Sequence, residues 1–185
     1  MEPLGASFIR TGKRVSQGLD ELQALHGLAR ELCPGDFPAE ETRELPRLYD
    51  HIRLGFIDSL RDQIVEELAL PREIFSRDRF SVHGCGPVGL HDDFFRFPYV
   101  YFVVVVAHSG RLGLVDETST AARHEAGEII LLDPRRKHGL VPEGTTAGEH
   151  VYDQTHRAVH DPEDQFLFLD FDVMRPDLRS RFRPR

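Results

Sequence analysis

The feature that most constrains the fold is a nearly continuous run of β-branched and aromatic residues from Tyr99 to His108. Such a run is typical of a β-strand that is buried on both faces, because a strand with one face in water alternates between apolar and polar residues. The apolar part of the run is also far too short to cross a membrane as a helix. The sequence therefore predicts a β-rich core with this strand inside it.

Two helical patterns come before this region. Apolar residues from Leu19 to Leu32 recur at the spacing of one helix face, and the pair Pro34-Gly35 ends the pattern. A second apolar stripe runs from Leu48 to Leu68 and ends at Pro71. We expect two helices, each of which buries one face.

Short strand patterns follow the helices, separated by glycine, proline and polar turns. They cover residues 79–83, 91–95, 99–108, 112–115, 129–132, 138–141 and 165–173. Two helices and then about seven or eight strands predict an α+β, mainly β, fold in which helices pack on a β-sandwich or barrel. We expect one domain, 1–185, with a mostly helical part at 1–71, a β-barrel core at 72–174 and a basic tail at 175–185.

A candidate metal site lies on either side of the central run. His91 and Asp93 follow a glycine-rich turn, and residues two apart on a strand point to the same side. His138 comes much later, after a strand and the tight turn that begins at Pro134. Two imidazoles and one carboxylate form the facial triad that binds non-heme Fe(II) and leaves positions open for other ligands. We expect His91, Asp93 and His138 to hold iron.

These residues resemble the Fe(II)- and 2-oxoglutarate-dependent oxygenases over the region from Arg79 to Val173. In that family a His-x-Asp/Glu motif and a distal His bind iron, and His91, Asp93 and His138 match these positions. The resemblance implies a double-stranded β-helix, a jelly-roll or cupin-like barrel. It also implies Fe(II) as cofactor and 2-oxoglutarate as cosubstrate, in an oxidative reaction with O2 whose default outcome is hydroxylation.

The family usually adds an Arg or Lys that pairs with the far carboxylate of 2-oxoglutarate. The last strand pattern, Gln165 to Val173, contains neither residue. Arg157 is favoured because it follows the distal His, and Arg111 and Arg123 stay open because some members place the cation on an earlier strand. Arg96 is a further candidate, for substrate or for support of the site.

Other polar residues are weaker candidates. Ser81 and His83 share one strand face just before the metal turn, so they could hydrogen-bond the cosubstrate or a metal ligand. Tyr101 is a further candidate for cosubstrate binding. In contrast, His108 and His124 lie at strand ends, and we expect them to be exposed. The polar stretch 142–164 could cover the site.

We expect an enzyme that hydroxylates a small molecule such as an amino acid or a biosynthetic intermediate. Two alternatives stay open. One is a cupin-type metal enzyme or isomerase without 2-oxoglutarate, since Gly127 through His138 faintly resembles the second cupin motif, although Asp93 does not fit the first. The other is a ligand-binding barrel without catalysis, which the missing cation favours.

The net charge restricts the partners. At −8, it argues against general binding to nucleic acid or to anionic membranes. The start of the sequence does not resemble a signal peptide, so we expect a cytoplasmic protein. The expected partners are a small-molecule substrate and O2, and a homodimer stays open because the arginine-rich tail could contact a neighbouring subunit.

Overall fold

The structure is a computed structural model that describes residues 5–35, 37–38, 41–75, 80–93, 99–149 and 163–174. Its helices are α1 (Leu19–Leu32) and α2 (Leu54–Glu67), with short 3-10 helices at Pro46–His51 and Arg72–Ile74. Its strands are β1 (Phe8–Arg14), β2 (Arg43–Glu44), β3 (Ser81–Cys85), β4 (Val88–His91), β5 (Tyr99–His108), β6 (Leu112–Val115), β7 (Glu128–Leu132), β8 (His138–Pro142) and β9 (Phe166–Met174). No helix in these ranges has the length and apolarity needed to cross a membrane.

The strands form two antiparallel sheets. The larger sheet has the order β1-β7-β5-β9-β3-β2, and the smaller has the order β4-β8-β6. From β3 onward, successive strands alternate between the larger and the smaller sheet. This winding is that of a double-stranded β-helix, so the predicted mainly β fold of the jelly-roll type is confirmed.

The larger sheet is buried on both faces, as the run in β5 predicts. Phe102 and Val104 pack between the two sheets, in a cluster that includes residues of β6, β7 and β8. Tyr101, Val103 and Val105 point to the opposite face and pack in a second cluster with residues of α1 and α2. The interior between the sheets is therefore separated from the helical layer by one sheet.

The second predicted helix is divided into two segments. A 3-10 helix ends at His51, and α2 begins at Leu54 after two residues, Ile52 and Arg53, with extended backbone. The apolar spacing continues across this break because residues such as Leu48 and Ile57, on either side of it, are both buried in the helix-side cluster. The apolar spacing therefore indicates that both segments pack in one core, but it does not indicate where the 3-10 helix ends and α2 begins.

His124 is buried, although its place at a strand end predicts exposure. Its side chain is 1% exposed, and its Nε2 accepts a hydrogen bond from the Leu114 backbone N–H at 3.1 Å. Nδ1 therefore carries the proton and donates it to Glu128 at 3.2 Å. Arg10 donates two further hydrogen bonds to the same carboxylate, at 2.6 and 2.9 Å. Burial alone would raise the pKa of Glu128, but the bonds from His124 and Arg10 outweigh it and lower the pKa to about 2.

Glu128→Gln is expected to lower the free energy of unfolding at neutral pH. It is also expected to make the free energy of unfolding less sensitive to a fall in pH. A carboxyl group with a depressed pKa in the folded state stabilises that state above its unfolded pKa of about 4.5, and the contribution is lost as the pH falls toward 2. We expect a loss on the order of 2–3 kcal/mol at pH 7, with a smaller difference at pH 3. Urea unfolding at both pH values measures this, and an equal loss at both would contradict it.

Candidate metal centre

Two paired strands of the smaller sheet bring the predicted ligands together. His91 at the end of β4 lies directly opposite His138 at the start of β8. Asp93, two residues beyond His91, is held by a hydrogen bond from its backbone N–H to the Pro134 carbonyl at 2.7 Å. One potential ligand atom from each of the three side chains lies within 4.8 Å of the others. The structure thus places the predicted triad in one cluster.

Hydrogen bonds to the backbone orient both imidazoles. Nδ1 of His91 lies 2.9 Å from the Gly89 carbonyl, and Nδ1 of His138 lies 2.9 Å from the Arg136 carbonyl. A carbonyl oxygen only accepts, so each Nδ1 carries a proton and each Nε2 of the neutral ring has a lone pair for a metal. Nε2 of His138 lies 3.5 Å from Oδ2 of Asp93. A His ligand whose other nitrogen donates to a carbonyl is the usual arrangement in metal sites, so these residues fit a bound metal ion.

The turn before His138 is fixed by Asp133, which the sequence analysis did not single out. Asp133 is 1% exposed and accepts hydrogen bonds from the Arg135 side chain at 2.9 and 2.8 Å and from its backbone N–H at 3.0 Å. The carboxylate of Asp133 raises the pKa of Arg135. The Asp-Pro sequence at this point is a turn signal that could have indicated the role. Asp133 thus stabilises the turn that carries a metal ligand.

Gly139→Ala is expected to lower the affinity for Fe(II) by about 10- to 100-fold, the range seen when groups that orient metal ligands are changed. A Cβ at Gly139 would lie 2.8 Å from the Val88 carbonyl oxygen and 3.2 Å from that of Gly89, which holds His91. The two strands would have to separate at the metal site. Gly148→Ala is the control, because a Cβ there meets nothing within 4 Å. Anaerobic titration with Fe(II) measures the affinity, and equal affinities in the two variants would contradict the expectation.

A mostly apolar pocket opens beside the triad, between the two sheets. It is lined by the three ligands and by Thr42, Phe102, Val104, Leu114, Leu132, Gly139, Leu140, Phe166, Phe168 and Asp170. Pockets of this kind, with few polar groups and candidate metal ligands on one wall, bind small organic molecules. No Lys or Arg is among the described residues of this lining.

The predicted cosubstrate arginines lie elsewhere or outside the described residues. Arg111 is half exposed and forms a bidentate pair with Asp164, with both N–O distances 3.2 Å. Arg123 lines a separate polar cavity, beside the stacked rings of His26 and His108. Arg96 and Arg157 fall outside the described residues. The structure therefore does not bring Arg111 or Arg123 to the metal pocket.

Tyr101, a predicted cosubstrate residue, lies on the other side of the larger sheet from the metal pocket. It is buried on the face of β5 that packs against the helices, and does not line the pocket. Residues alternate between the faces of a strand, so the inward neighbour is Phe102. Because β5 is buried on both faces, its sequence does not show which of its residues face the pocket.

Ser81 and His83 lie near the pocket without being part of its lining. Ser81 hydrogen-bonds the hydroxyl of Tyr49. His83 is buried, with Nδ1 3.5 Å from Oδ1 of Asp170, and its ring stacks on Phe168 with a centroid distance of 5.4 Å. His83 thus contacts the pocket through Asp170 and Phe168. His83 lies directly opposite Phe168 on the neighbouring strand β9, so it is on the same sheet face as Phe168 and Asp170, beside the pocket lining.

Comparisons with known proteins give one structural likeness. No protein-family model matches the chain, and no curated protein sequence is significantly similar to it. A crystal structure of a prolyl-4-hydroxylase from Pseudomonas putida is similar in structure, with 16% identity, 92% of this chain and 94% of that chain covered, and a TM-score of 0.48. At this level of similarity, the function has to be argued from the residues of the site.

Proposed function

We propose that this protein is a non-heme Fe(II)-dependent oxygenase that uses 2-oxoglutarate as cosubstrate and hydroxylates a small molecule. The observation that carries the proposal is the pairing of His91 with His138 across two strands, with both Nε2 atoms available and Asp93 beside them. Two imidazoles and one carboxylate suit Fe(II) and leave positions for exogenous ligands. Iron bound there would supply the activation of O2.

The protein's own residues have separate tasks in this proposal. The backbone carbonyls of Gly89 and Arg136 accept hydrogen bonds from Nδ1 of His91 and His138, which fixes the orientation of each ring and leaves Nε2 available. The aromatic and aliphatic walls of the pocket would exclude water from a metal bound by the triad and would hold an apolar part of the substrate. Of the arginines predicted from the sequence, Arg157 and Arg96 stay candidates for the cation that pairs with the far carboxylate of 2-oxoglutarate.

One observation favours a second candidate, an iron enzyme of the same barrel type without 2-oxoglutarate. Asp170 places a carboxylate on the last strand, in the pocket wall, where the resemblance would have a cation. A buried carboxylate repels a dianion in a site of low polarity. The small-molecule substrate, the cytoplasmic location and the homodimer also stay predictions.

Anaerobic addition of 2-oxoglutarate to the Fe(II)-loaded protein tests the proposal. If 2-oxoglutarate chelates the iron, a weak visible charge-transfer band is expected in the wild type and not in His91→Ala. Fe(II) binding without the band would support the second candidate instead. Absence of tight Fe(II) binding would contradict both.

A further inference from the structure

The polar cavity beside His26 and His108 lies on the helix side of the larger sheet. It has a volume of about 650 Å³ and is lined by residues of β1, α1, the end of β5 and the segment 123–126. β5 places Phe102 and Val104 in the metal pocket, whereas His108, at its last position, stacks on His26 of α1. A cavity of this volume is large enough for a small organic molecule. It is therefore a possible binding site separate from the metal pocket.

Hydrogen bonds and ring stacking fix the walls of the polar cavity. Oγ of Ser109 donates to the His124 carbonyl at 3.0 Å and accepts from the His124 backbone N–H at 3.2 Å, and both residues are buried. Nε2 of His26 lies 3.1 Å from Oε1 of Gln165. The His26 ring is nearly parallel to that of His108, with 3.6 Å between the centroids. Because these walls are already ordered, binding does not require ordering them first.

The lining of the polar cavity has an excess of positive charge. The only carboxylate among its described residues belongs to Glu125, and that carboxylate pairs with Arg14. Arg123 is exposed, and in the part of the chain that the structure describes its guanidinium forms no hydrogen bond or ion pair. This free cation lies in a chain whose net charge is −8. The cavity therefore offers an anion a binding group that most of the surface does not.

The stacked imidazoles respond to this positive charge. The pKa of His108 is lowered to about 4. Burial is the largest cause, followed by the neighbouring His26 and by the positive charges of Arg123 and Arg30. Burial also lowers the pKa of His26, and the charge of Arg30 acts in the same direction. A potential that disfavours protonation of a ring favours an anion at the same place.

We propose that the polar cavity is a second ligand site, where Arg123 binds an anionic oxygen group, a phosphate or a carboxylate, of a small polar molecule. A guanidinium donates two parallel hydrogen bonds to either group. The lining is mainly polar, with Gln23 and two imidazoles beside the arginine, so it suits a polar body better than an apolar one. The site uses none of the candidate metal ligands, so the inference does not rest on the proposed iron chemistry.

Three probes with related bodies test the proposal. Glycerol 3-phosphate carries a phosphate, glycerate carries a carboxylate and glycerol carries neither. Calorimetry on the metal-free full chain at constant ionic strength gives the affinities without binding of the anions to iron. We expect one anion or both to bind with a Kd below about 10 mM and at least about tenfold more tightly than glycerol. Tighter binding of glycerol 3-phosphate assigns the site to a phosphate, and tighter binding of glycerate assigns it to a carboxylate.

Weaker binding of both anions than about 10 mM, or a preference over glycerol below about tenfold, would overturn the proposal. Since the protein in this experiment contains no iron, either result would leave the proposed oxygenase function unaffected.

Variants assign the binding to Arg123. Arg123→Gln removes the guanidinium from an exposed position, so the preferred anion is expected to bind at least about tenfold more weakly. Arg53→Gln is the matched control, because Arg53 is also exposed but pairs with Glu21 and does not line the cavity. It should bind within about threefold of the wild type. Unchanged binding in Arg123→Gln, or equal losses in the two variants, would overturn the proposal. Arg123→Ala serves as a second variant, with the same expectation, if Arg123→Gln does not fold.

Nuclear magnetic resonance on the same metal-free protein locates the bound anion. Saturation with the preferred anion is expected to shift the assigned imidazole signals of His26 and His108, since both rings line the cavity. Absence of a shift at these two histidines would overturn the proposal, whatever the signals of the other histidines do.

Discussion

Asp93→Ala is expected to weaken Fe(II) binding by more than about 100-fold, because changes to groups that merely orient metal ligands already cost 10- to 100-fold. Asp93 is the only carboxylate of the cluster with His91 and His138 among the described residues. Its loss would leave two neutral imidazoles for a cation that prefers a mixed set of nitrogen and oxygen ligands. Anaerobic titration with Fe(II) measures the affinity.

The neighbouring residue provides a matched control. Asp92 is exposed, lies next to Asp93 in the chain and is absent from the cluster, so Asp92→Ala removes the same charge without removing a ligand. We expect it to bind Fe(II) within about threefold of the wild type, as a screened surface charge should. Equal losses in the two variants would mean that general charge, and not coordination, attracts the metal.

Phe171→Ala is expected to reduce the free energy of unfolding by about 3–5 kcal/mol, the usual cost of truncating a buried phenylalanine. Phe171 is fully buried on the helix side of β9, where its ring contacts Phe75 and lies 5.8 Å below the guanidinium of Arg61. The cavity would open between the larger sheet and the helical layer. Urea unfolding measures the change.

Leu54→Ala is the control for this variant. Leu54 begins α2 and is 75% exposed, so truncating its side chain should change the free energy by less than about 0.5 kcal/mol. A loss below about 1 kcal/mol in Phe171→Ala would contradict the packing of helices on this sheet.

The central strand and the metal triad could be predicted from the sequence for local reasons. The run in β5 has almost no polar residue over its length, and that composition is incompatible with an exposed face. His91 and Asp93 are two residues apart on an extended segment, and the turn at Pro134 precedes His138. These short-range patterns fix which side chains share a face, and the pairing of β4 with β8 then brings them together.

The sequence does not indicate which face of a buried strand points into the barrel. Tyr101 and Phe102 are both buried and differ only in the layer they contact, so composition does not distinguish them. Asp170 shares its strand face with Phe166 and Phe168, and this alternation could have indicated a carboxylate in the pocket.

A crystal structure of the protein grown anaerobically with Fe(II), with anomalous data at the iron edge, tests the central claim most directly. One iron peak is expected, bound by Nε2 of His91, a carboxylate oxygen of Asp93 and Nε2 of His138. An iron ion bound elsewhere, coordination through Nδ1, or no peak at the triad would contradict the claim that these three residues form the metal centre.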